Sequence, residues 1–232
     1  MNEPRPLFVA MLLALLLSLS GCGRDGELPL DWLRNRLRDV PTYSILLEDM
    51  NREGNFFKTH YHKYRIVQDD RAWSTDWMKV PESVFEQYRP LLGMVVAGRK
   101  DGEPVGAAAP PGYQYAGDTR YGRWRNDAGG RSFWEFYGQY SLVRDMMGGW
   151  YRPIYRDDYD AYRQSTTRNV PFFGKTHTYG TAGTVARQAN PDFFQRRMGR
   201  ERAAGASFAQ KVGQRTGRSR SNLRGRSGGR GK

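Results

Sequence analysis

The 232-residue chain has one cysteine, Cys22, and only three histidines. A lone cysteine excludes an intramolecular disulfide, a CxxC redox pair and a cysteine-rich zinc site. There is no Gly-x-Ser-x-Gly elbow, no phosphate-cradling GxxxxGK[ST] loop, no HExxH helix and no Cys–His pair, so no sequence signature of catalysis is present. The apolar run Leu7–Leu17 is eleven residues long, short of the roughly 20 that a membrane-spanning helix needs. Aromatic and glycine spacing follows no period of about 20–50 residues, which argues against a solenoid or propeller.

What the sequence does have is basic charge, unevenly placed. The formal net charge is +13. From Arg196 to Lys232 there are twelve Lys/Arg and a single acid, Glu201, whereas the rest of the chain holds 25 basic and 23 acidic residues. The basic character therefore belongs to a C-terminal tail, and the remainder is near neutral. The tail charges are Arg196, Arg197, Arg200, Arg202, Lys211, Arg215, Arg218, Arg220, Arg224, Arg226, Arg230 and Lys232. Counterion release draws such a segment to any dense polyanion.

The first residues give the chain its address. Arg5 provides a weakly positive start, Leu7–Leu17 an apolar core, and Ser20 and Gly21 small residues before the cysteine, the three parts of a secretory signal. Leu19-Ser20-Gly21-Cys22 resembles the lipobox of bacterial lipoproteins. The resemblance implies cleavage by signal peptidase II before Cys22, a diacylglyceryl thioether on its sulfur and further acylation, giving two or three chains and lasting membrane attachment. It covers about the first 25 residues; the mature domain resembles no nameable family. Gly23, where an aspartate would direct retention at the inner membrane, implies the outer membrane facing the periplasm. A tail held there meets anionic lipids, lipopolysaccharide or cell-wall polymers, and nucleic acid is not an expected partner.

The expected organisation follows from local patterns. Residues 1–21 are the signal peptide, and residues 22–40 the lipidated N-terminus with a short amphipathic helix carrying Leu30, Leu33 and Leu37, beside the membrane or packed on the domain. Residues 41–180 form one α+β domain of antiparallel hairpins and a few short helices. Its strands are predicted over Thr42–Leu47 and Phe56–Val67 around a turn in EDMNREGN, over Trp77–Val80, through LLGMVVAGR, and on both sides of NDAGG. Helices are predicted in PESVFEQYRP and over Tyr140–Met147. Residues 181–212 are a partly helical connector, capped by Asn190 and weakened by Gly199 and Gly205. Residues 213–232, nearly devoid of apolar side chains, are expected to be a disordered tail.

Candidate chemistry is thin. His60 and His62 share one face of a strand and could hold zinc or copper if a third ligand approached; otherwise they sit on an outward face. Glu135, between Trp134 and Phe136, is the carboxyl group whose neighbours would perturb it most. Asp157, Asp158 and Asp160 lack the glycine of a calcium loop and read as a solvated helix start. Tyr113, Tyr115, Tyr121, Trp124, Trp134, Tyr137 and Tyr140 are either sheet core or a stacking platform for sugars, with Arg120, Arg123 and Arg125 beside them. The expected function is non-catalytic binding or structural support in the cell envelope, with no cofactor. The alternative is an envelope hydrolase or metal-binding protein using Glu135 or His60 and His62.

Overall fold

A computed structural model gives the fold and describes residues 26–54, 57–68 and 71–221. Cys22 and its lipobox-like segment, with Arg224, Arg226, Arg230 and Lys232, lie outside the described residues. The architecture is α+β, with antiparallel sheets and several short helices.

A long hairpin organises the main sheet. β1 (Tyr43–Glu53) and β2 (Thr59–Gln68) pair from Tyr43↔Gln68 to Glu53↔Thr59, with an irregularity between Leu47 and Asp49. Tyr43, Ile45 and Leu47 line one face with Tyr64 and Ile66, and the bulge at Glu48 restores Met50 to that face opposite His62. β1 thus continues through EDMNRE, where local polarity predicts a turn; the reversal falls after it, beginning at Gly54 with φ of +89°. Two short strands, β3 (Ala72–Ser74) and β4 (Met78–Val80), share the far edge of β2. β5 (Val95–Lys100) pairs with the first half of β1 only, and β6 (Glu103–Pro104) closes that edge. The order is β3-β2-β1-β5-β6. A separate hairpin, β7 (Gly122–Asn126) and β8 (Ser132–Phe136), turns through NDAGG as the sequence predicts.

Helices cover these sheets. α1 (Pro29–Arg36) buries Leu30 and Leu33, and Leu37 follows it into the core. α2 (Glu82–Tyr88) starts after Pro81 and runs into a 3-10 turn, Arg89–Leu91. α3 (Gly138–Met146) leads to a second 3-10 turn, Gly148–Trp150, and Gly93 lets the chain pass close to it: with φ of +76°, a Cβ there would lie 2.2 Å from the Trp150 ring. α4 (Arg156–Thr167) is one uninterrupted helix where the sequence mixes turn and helix signals. α5 (Thr184–Ala189) and α6 (Pro191–Ser221) complete the chain.

The core reaches beyond residues 41–180 on both sides, from Leu30 to Phe193. α1 is therefore part of the domain rather than a separate juxtamembrane element. α6 passes Gly199 and Gly205 and continues to Ser221, past the point where composition predicts the disordered tail; residues 222–232 lie outside the described residues. Once its first turns are docked, adding a residue to a helix needs no new nucleation, and the Arg, Gln and Lys content suits propagation.

Candidate functional site

α6 is the element that presents the basic residues. Asn190 caps it, accepting a hydrogen bond from the Phe193 N–H at 3.0 Å, and its amide donates to the Glu48 carbonyl at 3.2 Å. Phe193 is buried. Of the next three basic residues, Arg196 and Arg200 face the domain. Arg196 Nη2 donates to both oxygens of buried Asp49 at 2.7 Å, with its guanidinium 5.8 Å from the Trp77 ring centre. Arg200 donates to Asn51 at 3.2 Å. Burial, then the like charges of Arg52 and Arg196, hold the Arg200 guanidinium below its ordinary pKa. Arg197 pairs with Glu201 one turn on, at 2.9 Å.

Beyond this docked section the helix is exposed from Glu201 through Arg215. Among the described residues no ion pair involves Arg202, Lys211 or Arg215. Arg218 and Arg220 continue the same helix. The twelve tail charges thus divide into Arg196, Arg197 and Arg200, which have partners within the fold, and an outer set beginning at Arg202. Sequence alone treats them as one group, because the partners Asp49 and Asn51 lie about 150 residues away.

His60 and His62 do share a strand face, but it is the inner one: they are 3% and 0% exposed, not outward. Phe85 of α2 packs on both rings at 4.7 and 5.7 Å, and Tyr64 lies edge-on to His62. Burial first, and His60 second, lower the His62 pKa from 6.5 to about 4. A proton therefore binds the unfolded chain before the folded one. Stability from this group is complete above pH 6.5 and falls as the pH drops from 6.5 to about 4, by about 3 kcal/mol in all. Urea unfolding at pH 7 and pH 4.5 should show most of that loss, and His62→Phe should reduce it.

Glu135 does not have the environment that its sequence neighbours suggest. Trp134 and Phe136 project to the opposite face of β8, and Glu135 meets Arg123 at 3.0 Å and Arg125 at 2.9 Å from β7. The Arg123 hydrogen bond, then that of Arg125, holds its carboxyl below the usual range, opposite to what a general acid needs. Asp157 and Asp158 occupy the first turn of α4, with Lys175 on Asp157 at 2.9 Å and Arg156 on Asp160 at 3.5 Å. No group of three or more His, Cys, Asp or Glu converges among the described residues.

The aromatic block is mostly core. Tyr113, Tyr115, Tyr121 and Trp134 are buried, whereas Tyr137 is 39% exposed. Its arginines are taken by carboxylates: Arg120 bridges Asp101 and Asp118, each at 2.6 Å. An open, polar cleft of about 510 Å³ lies against this cluster, lined by Lys100, Tyr113, Gln114, Asp118, Tyr159 and Tyr162. Hydrogen bonds from Arg120 and Lys100 hold the Asp118 carboxyl well below its ordinary range. No local pattern marks this cluster, since Asp101 and Asp118 lie apart along the chain and only the fold joins them through Arg120. A smaller groove of about 240 Å³ between α2 and α6 is lined by Met50, Arg52, Phe85, Phe193 and Arg200.

No helix among the described residues is long and apolar enough to cross a membrane. The chain matches no protein-family model, no curated protein and no solved structure.

Proposed function

We propose that this is a lipid-anchored protein of the bacterial cell envelope, acting by binding or structural support rather than catalysis, with the outer part of α6 and the tail as a contact for anionic envelope surfaces. The observation that carries the reading is the division within α6. Phe193, Arg196 and Arg200 fix its first turns on the domain, and the helix then exposes Arg202, Lys211 and Arg215 with no acid after Glu201 in the sequence. Such a segment supplies cationic charge without a folded pocket, suiting a phosphate-rich surface of irregular shape. Leu19-Ser20-Gly21-Cys22 behind an eleven-residue apolar run supports the anchor. The outer membrane, facing the periplasm, is the proposed location.

The anchor is tested by Cys22→Ser in a bacterial host supplied with a labelled fatty acid. The expected result is complete loss of label, with release from the membrane fraction or accumulation of uncleaved precursor. Unchanged labelling, or an unprocessed Met1 on a cytoplasmic wild-type protein, would refute it.

A further inference from the structure

The strand register places a row of side chains on the inner face of the sheet that the interactions above do not explain. His62 of β2 lies opposite Met50 of β1 on one side and Met78 of β4 on the other. Directly opposed residues of an antiparallel ladder project to the same face, so the imidazole has a thioether on each flank. His60, two positions along β2, projects beside it. Met50 and His62 are fully buried, His60 is 3% exposed and Met78 is half-buried.

Both imidazoles have a buried Nε2 that finds no hydrogen-bond partner among the described residues. A buried polar atom left unpartnered calls for an explanation, because its desolvation is uncompensated. Two such atoms on neighbouring rings, with no carboxylate paired to either ring among the described residues, are harder to attribute to packing alone. The other nitrogen of His62 is engaged: Nδ1 lies 2.9 Å from the Tyr64 hydroxyl. A buried N–H without an acceptor is less well tolerated than a lone pair without a donor. The favoured tautomer therefore has Nδ1–H donating to Tyr64 and leaves the lone pair at Nε2, the arrangement in which a histidine serves as a metal ligand with its second nitrogen fixed.

We propose that His60, His62, Met50 and Met78 form a binding site for Cu(I). All four donors are neutral and soft or borderline, and thioethers select Cu(I) over zinc and the harder divalent ions. The absence of an acidic cluster there among the described residues favours the same choice. The cost of burying an ion grows with the square of its charge, and nothing here neutralises a second positive charge. The Phe85 ring, 4.7 Å from the His60 ring and 5.7 Å from that of His62, helps to shield the position from water.

The test uses the full chain carrying Cys22→Ser, purified in detergent, so that no thiol is present. Titration with Ag(I), a redox-inert probe of the same coordination preference, should reach an equimolar end point, and Zn(II) should not compete. Met50→Leu combined with Met78→Leu conserves volume and should weaken Ag(I) binding at least about tenfold, the scale at which even ligand-supporting residues act, with an unchanged near-ultraviolet circular dichroism spectrum. His62→Gln should abolish binding. X-ray absorption of the Cu(I)-loaded chain should show nitrogen and sulfur scatterers together. Absence of equimolar binding, undiminished affinity in the folded double-methionine variant, or a copper environment without sulfur would each overturn the proposal.

Discussion

Leu33→Asp is expected to leave the chain unable to fold, and Leu33→Ala to lower unfolding free energy by about 3 kcal/mol. Leu33 has no solvent exposure, and α1 packs against the sheet with Leu30 and Leu37 in the common core. A carboxylate placed there has no partner, and burying it costs several kcal/mol even after relaxation, comparable with a whole domain's stability of about 5–15 kcal/mol. Trp32, one position earlier, is 40% exposed with Arg36 over its ring, so Trp32→Ala should change stability by less than about 1 kcal/mol. Urea unfolding of residues 23–232, which contain the entire core described above, measures all three. If Leu33→Asp folded normally and lost only membrane association, α1 would be an interfacial helix instead of a core element.

The pattern of α1 illustrates what was legible in the sequence. Leucines at helical spacing identify a helix and its apolar face, but not which apolar medium receives that face. The β1–β2 and β7–β8 hairpins were readable because alternation and turn residues are local. The second half of β1 was not. Asp49 and Asn51 look like turn residues, and the side chains that satisfy them, Arg196 and Arg200, come from the opposite end of the chain. For β2, the alternate sets Thr59-Tyr61-Lys63 and His60-His62-Tyr64 are similar in polarity, so periodicity does not say which is inward; Phe85 and Met50 decide it. Glu135 fails for a related reason. Its sequence neighbours are aromatic, but a strand sends them to the other face, and the residues it meets are across the ladder.

The tail yields the second large effect. Replacing Arg202, Lys211, Arg215, Arg218, Arg220, Arg224, Arg226, Arg230 and Lys232 by Gln in residues 23–232 should lower affinity for anionic vesicles by at least about a hundredfold, roughly 3 kcal/mol. Each basic residue near an anionic membrane contributes at best about 1 kcal/mol, within a Debye length of roughly 8 Å at physiological salt. A helix rises about 1.5 Å per residue, so charges from Arg202 to Arg215 span about 20 Å and not all can reach the surface together. Nine charges therefore deliver less than nine full contributions. Binding should weaken with added salt, and replacing the same arginines by Lys should reduce it only modestly, since Lys keeps the charge and loses the bidentate fork. Arg196→Gln should behave differently. It leaves Asp49 buried without its cation, so it should cost about 2 kcal/mol of stability while vesicle binding by the folded fraction is retained. If the nine-residue variant bound as well as the wild type, or if wild-type binding ignored salt, the outer half of α6 would be a solvated extension with no surface to contact.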